Sequence, residues 1–368
     1  MEKPWVPSAP RRIPQTLRKV LMHKRRVRYR GTHPRRFEEK YKEHDPEKYG
    51  SDVEKILKSG KTPAGSHRPI LVREVLEILR PGPGQIGLDA TLGFGGHAVE
   101  LLGRIVPGGR LLALDVDPIE IERTEQRLRK KGFGSDVLSV RRSNFAGALK
   151  LAGEAGGGFD FVLADLGVSS MQLDDPRRGF AFKYDGPLDL RLNPSRGQPA
   201  SALIQRLSAE ALEKILRENS DEPHAALIAR SIFFRREEIQ TTAALAGAVR
   251  QALSGVLKGM PEGEMTRSLR RTFQALRIAV NDEFSALEQL LRNMPLCLKP
   301  GGRAAVISFH AGEDQRVERF FKEGLERGVY SQAASSPVRA SHEECYDNPR
   351  AASAMLRWAL KRQEEIRS

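Results

Sequence analysis

Asp89-Ala90-Thr91-Leu92-Gly93-Phe94-Gly95-Gly96-His97 closes a short apolar run over 85–91 that predicts a β-strand, and it leads into a helix predicted over 98–105. The same placement recurs twice. Asp115, in Asp115-Val116-Asp117-Pro118, follows a strand predicted over 110–114, and Asp165, in Asp165-Leu166-Gly167-Val168-Ser169-Ser170, follows one over 159–164. A helix over 119–131 and a strand over 137–141 fall between them. Such alternation folds as a parallel sheet with helices on both faces, and its ligand-binding edge lies at the carboxyl ends of the strands. The fold class is therefore α/β, with a carboxylate at three of those ends.

Outward from this core, a helix predicted over 71–79 stops at Pro81-Gly82-Pro83-Gly84, which cannot continue it. Past Asp165 the rhythm breaks. Residues 172–197 are rich in Asp, Arg, Pro and Gly, and helical patterns follow at 202–218, 224–236 and 243–257, which reads as a helical insertion. The α/β rhythm returns with a helix over 273–292, Pro300-Gly301-Gly302, a strand over 304–309 and a helix over 315–326. The period of 354–360 fits either a strand or a helix. The resulting division is a basic N-terminal arm and linker over 1–66, a core over 67–171 and 272–368, and an inserted all-helical domain over 172–271.

With 368 residues and 39% hydrophobic content, the chain is long and apolar enough for a substantial core. Two cysteines, Cys297 and Cys345, give neither a disulfide framework nor a zinc pattern, so a reducing, cytoplasmic setting and no metal are expected. No apolar run reaches the roughly 18 residues of a membrane span. The net charge of +14 is local: residues 11–36 hold 11 Lys or Arg and no acid, whereas the remainder carries 50 basic and 47 acidic groups. Such an arm suits phosphate neutralisation on RNA; a solvated tail and an organelle-targeting segment are the alternatives.

Gly93-Phe94-Gly95-Gly96 lets backbone amides approach a ligand but lacks the GxGxxG spacing of a pyrophosphate cradle, which favours S-adenosylmethionine over a dinucleotide. Asp115 lies 20 residues after Gly95, the interval at which an acid takes ribose hydroxyls. Asp117, before Pro118, is expected to cap the next helix rather than touch ligand. Phe145, past the third strand, is placed to border an adenine. Asp165 sits at the switch point, where cofactor and substrate meet, with Gly167, Ser169, Ser170 and Gln172 beside it.

Together with Gly179-Phe180, Asp185-Gly186-Pro187-Leu188-Asp189-Leu190-Arg191, Thr272-Phe273-Gln274-Ala275-Leu276-Arg277, Ser308-Phe309-His310 and Asn348-Pro349-Arg350, these blocks closely resemble the RsmH/MraW family of ribosomal-RNA cytosine-N4 methyltransferases. The resemblance runs from about residue 67 to the C-terminus. It implies a Rossmann-like S-adenosylmethionine-dependent methyltransferase core with an inserted helical substrate domain, and methylation of a cytidine in the decoding region of small-subunit (16S) rRNA. Carried over by position, it implies cofactor contacts at Gly95, Gly96, His97, Asp115, Phe145, Asp165 and Gln172. The partner would be small-subunit rRNA or the assembling subunit, with a homodimer left open. Ala311-Gly312-Glu313-Asp314, Asp221-Glu222-Pro223-His224 and Ser268-Leu269-Arg270 depart from the family's usual segments, which marks a divergent branch.

Asp165 is the expected orienting group for the acceptor amine, and the proton released on methylation goes to Asp165, His310 or water. Arg267, Arg270, Arg271 and Arg277 either clamp RNA phosphates or pair with carboxylates such as Asp185 and Asp189. A non-catalytic ribosome-associated RNA-binding factor is the rival reading. An amino-methyltransferase of DNA is disfavoured, because Asp165-Leu166-Gly167-Val168 lacks the Pro-Pro-aromatic signature of that group.

Overall fold

The computed structural model describes residues 69–256 and 263–363. The basic arm, the linker and the expected start of the core at His67 lie outside the described residues. Among the described residues seven strands form one sheet: β1 (Ile86–Asp89), β2 (Arg110–Asp115), β3 (Leu138–Arg142), β4 (Phe159–Asp165), β5 (Leu298–Ser308), β6 (Tyr330–Ala333) and β7 (Met355–Lys361), in the order β3-β2-β1-β4-β5-β7-β6. The first five run parallel and β7 is antiparallel to both its neighbours. This is a Rossmann-like α/β sheet. The strand order reverses between β1 and β4, and a crevice opens there at the carboxyl ends.

Side chains alternate across the sheet with period two. Leu111, Ala113, Phe161, Leu163, Ala305 and Ile307 face α1 (Val72–Leu79), α2 (Gly96–Ile105) and α3 (Pro118–Lys130). Leu112, Leu114, Val162, Ala164, Ala304 and Val306 face α4 (Ala148–Glu154), α11 (Glu283–Cys297) and α12 (Ala311–Glu326). Gly87 of β1 is required by packing, since a Cβ there would overlap the ring of Phe161 on β4. The 354–360 segment is a strand, because pairing with both β5 and β6 satisfies its backbone.

Between β4 and α11 the chain forms α5 (Ser170–Asp174), a 3₁₀ turn (Pro176–Arg178), α6 (Ala200–Arg206), α7 (Ala209–Ser220), α8 (Ala225–Phe234), α9 (Thr242–Leu253) and α10 (Glu264–Asn281). These helices share a third apolar cluster, with Ile204, Leu216, Ile228, Val249, Leu269 and Phe273 among its buried members. Two expectations need correction. The helix expected over 202–218 is two helices, because Ser208 caps α7 by accepting from the Ala211 amide. The helix expected over 273–292 is also two, broken where Asp282 turns left-handed at φ 50°. The boundary expected at 271/272 consequently falls inside α10, whose buried face belongs to the helical cluster. The short α13 (His342–Asp347) and a 3₁₀ turn (Pro349–Ser353) lie between β6 and β7.

Asp117 ties the insertion to the sheet. It caps α3 as expected, with Oδ1 accepting from the amides of Ile119 (2.9 Å) and Glu120 (3.4 Å). Its Oδ2 accepts from Gln172 Nε2 at 2.7 Å and Arg178 Nη1 at 2.8 Å, and Arg178 Nη2 donates onward to the carbonyls of Arg191 and Leu192. Asp117 and Arg178 are both buried. Removing one partner of a buried ion pair strands the other charge, at a cost of about 3–5 kcal/mol. Asp117→Ala is therefore expected to lower unfolding free energy by about that amount in urea melts, with Asp117→Ala/Arg178→Met recovering part of the loss. A single-variant loss below about 1 kcal/mol would show that the pair does not join the two regions.

Candidate active site

A cavity of about 430 Å³ opens at the carboxyl ends of β1, β2, β4 and β5. Its first wall is the loop from β1 into α2. Gly95 takes φ 77° and ends the turn, and a Cβ at Gly96 would stand 2.9 Å from Pro69 Cγ, so the turn admits only glycine at these two places. Asp115 at the end of β2 fixes this loop: Oδ2 accepts from the Gly93 amide at 2.7 Å and Oδ1 from the Asp117 amide at 2.9 Å. Each oxygen keeps a further lone pair for a ligand. Phe145 lines the cavity from a 3₁₀ turn that Asn144 caps.

Asp165 ends β4 with its backbone amide held by Thr91 Oγ1 at 2.6 Å, which locks the tips of β1 and β4 together. Its Oδ1 is buried with no hydrogen-bond partner among the described residues. Burial, reinforced by Asp89 and Glu313, pushes the Asp165 carboxyl up to about 8. Burial likewise raises Asp115 to about 6 and Asp89 to about 7. His97 Nε2 lies 3.6 Å from Asp165 Oδ2, yet burial lowers this imidazole to about 4, so at neutral pH it is uncharged and no counter-ion. Asp89 is 1% exposed and lies behind the cavity wall, where its Oδ1 accepts from the Thr91 amide. The floor is thus a set of acids without a Lys or Arg partner among the described residues.

The opposite wall comes from β5, α10 and α11. His310 caps α12, its Nδ1 accepting from the Glu313 amide at 3.4 Å while Nε2 lies 3.3 Å from Glu313 Oε1. Burial pushes Glu313 up, but the hydrogen bond and charge of His310, with Arg277 and the Phe309 amide, outweigh it and hold the carboxyl below its usual value. Arg277 lines the cavity and forks onto Glu283, both contacts at 2.9 Å. Arg267 and Arg271 pair with a carboxylate, as the second alternative expects, but with Glu264, at 2.6 Å and 3.4 Å. Asp189 is instead taken by Arg191, and Asp185 accepts from the Gly186 and Ala243 amides. Arg270 is exposed and has no ion pair among the described residues.

The structure therefore brings Gly95, Gly96, His97, Asp115, Phe145, Asp165, Gln172, Arg277 and His310 to one cavity and leaves Arg267, Arg270 and Arg271 outside it. Gln172 is already engaged at both ends, its Oε1 accepting from the Ser169 amide at 2.8 Å and its Nε2 donating to Asp117. Sequence reasoning missed Phe284 and Glu313 on the wall, and Arg178 behind it. Only Arg178 left a local trace, in the turn-forming Asp175-Pro176-Arg177-Arg178-Gly179.

Residues 64–362 match the model of the MraW methylase family. A protein of Alkaliphilus metalliredigens named ribosomal RNA small subunit methyltransferase H 2 is 50% identical over 340 residues, covering 92% of this chain and 97% of that one. One of Lachnoclostridium phytofermentans, ribosomal RNA small subunit methyltransferase H 1, is 50% identical over 347 residues, covering 92% and 93%. Ribosomal RNA small subunit methyltransferase H of Halorhodospira halophila is 40% identical over 316 residues, covering 80% and 94%. A coverage of 92% exceeds what residues 67–368 can supply, so the first two matches reach into the N-terminal arm. With the family pattern spanning nearly all of the described chain, and relatives matched over almost their whole lengths, this chain belongs to the MraW methylase family.

Proposed function

We propose that the protein methylates the N4 amine of a cytidine in the decoding region of small-subunit ribosomal RNA, with S-adenosylmethionine as donor. The observation that carries this reading is the Asp165 carboxyl at the switch point, whose buried Oδ1 has no hydrogen-bond partner among the described residues, in a floor of acids that no Lys or Arg of the described residues pairs with. Such a floor fits a ligand bearing positive charge, and the names of the relatives supply the RNA class. S-adenosylmethionine supplies a methyl group on a positively charged sulfur together with an ammonium. Gly95, Gly96 and His97 would hold its amino-acid end, Asp115 its ribose hydroxyls and Phe145 its adenine, while Gln172 braces α5 against them.

The exocyclic amine of cytosine is a weak nucleophile, so placement dominates its reactivity. Asp165 is protonated at neutral pH while the floor lacks a cation, and in that state it cannot accept a proton. A cation beside it favours the carboxylate. The ionised Asp165 then accepts an N–H of the amine, orients the nitrogen lone pair and takes the proton as the methyl arrives. His310, with both nitrogens facing Glu313, serves as helix cap and wall. The helical insertion, including α10, is the substrate domain, and exposed Arg270 contacts RNA phosphate.

Because the ligand-free Asp165 titrates near 8 and the bound form would titrate lower, S-adenosylmethionine binding releases a proton below that pH. Affinity is expected to rise with pH by up to about tenfold per unit and to level above about 8, read by calorimetry in buffers of different ionisation enthalpy. Asp165→Asn should remove the part of this dependence nearest pH 8, leaving the contribution of Asp89 and Asp115 at lower pH, and cut methyl transfer to small-subunit rRNA by about 10²–10⁴-fold. Wild-type turnover in that variant would remove Asp165 from the chemistry. Arg270→Glu should weaken RNA binding and lower the slope of log affinity against log salt by about one or more, and an unchanged slope would place the RNA elsewhere.

A further inference from the structure

Gly312 lies in the first turn of α12 with a φ outside the left-handed region, so its backbone does not require glycine, and glycine weakens a helix relative to alanine. What the missing side chain makes room for is Phe284, one residue into α11. A Cβ at 312 would stand 2.8 Å from Phe284 Cζ and 3.3 Å from His310 Nδ1. The ring is also backed on one face by Arg316, whose guanidinium carbon lies 3.6 Å from the ring centroid. Arg316 is itself fixed, with Nη1 donating to the Gly312 carbonyl at 2.8 Å and Nε 3.2 Å from Glu288 Oε1, one turn along α11 from Phe284.

This clamped ring lines the same cavity as Asp165. It stands on the β5 side, with Phe309 and His310, whereas Gly93–Gly96 and Asp115 follow β1 and β2, and β4 with Asp165 lies between them in strand order. Its neighbours on that wall include the charged or polar Glu283, Arg277, His310 and Glu313, beside the apolar Ala286, Leu287 and Phe309. A flat aromatic face bordered by charged groups, across the carboxylate from the glycine loop, has the chemistry of a stacking surface for an unpaired nucleobase. We infer that Phe284, backed by Arg316 and given room by Gly312, is the platform on which the target base lies while its amine meets Asp165. The inference rests on the RNA-methylation reading above and adds the element that fixes the plane of the base.

Phe284→Leu keeps apolar volume and removes the ring face. It should lower kcat/KM for small-subunit rRNA about 10- to 100-fold, carried by KM, with S-adenosylmethionine affinity by calorimetry within about twofold of wild type. Phe284→Tyr should restore most of the loss, and Gly312→Leu, which displaces the ring without touching it chemically, should repeat it. A Leu variant equal to wild type, or one that loses donor affinity in parallel, overturns the platform while leaving the methylation reading intact. Failure of the wild-type protein to methylate any small-subunit rRNA cytidine defeats that reading, and the platform with it.

Discussion

One carboxylate without water around it organises this molecule. Asp117 is wholly buried, and its four accepted hydrogen bonds come from the first turn of α3, from α5 and from the turn that leads into the insertion. An unpaired charge at that depth would be intolerable, so the segments that supply its partners are held at fixed distances from the end of β2. Arg178 extends the constraint to Leu192, whose amide also meets Asn281 Oδ1 at the end of α10. Both walls of the cavity are thus referred to one buried point.

The acids that face the cavity obey the opposite rule. Asp165 and Asp115 sit where burial opposes ionisation, and Asp89 adds its charge from behind. Fully paired, they would stabilise the fold and leave nothing for a ligand. A group held out of balance with its surroundings marks a place where binding, rather than folding, supplies the missing charge. Arg277, a cation on the cavity wall, is engaged instead by its fork onto Glu283.

Much of the sheet was legible in sequence because buried parallel strands read as short apolar runs with sharp ends. The first residues of β2 and β4 agree with expectation, and Asp115 and Asp165 stand at the predicted tips. The β6 strand was not legible: four residues with two exposed carry little pattern, and it exists because β7 offers it an edge. The breaks at Ser208 and Asp282 were hidden because apolar spacing continues across them, while a cap or a left-handed residue ends the helix locally. Within the cavity, residues that follow strands could be found by position. Phe284, Glu313 and Arg178 could not, since each acquires its role from a neighbour distant in the chain or across a helix turn.

The two thiols end up in very different chemical circumstances. Cys297, at the end of α11, is enclosed in the sheet's core, and burial pushes its thiol up to about 11, so almost none of it is thiolate in ordinary buffers. Cys345 is only partly covered, on the short α13 helix just before Asn348 and Arg350, which line the cavity. A maleimide dye or spin label would therefore attach preferentially at one position in the unmodified chain, three residues before the first of these cavity-lining side chains.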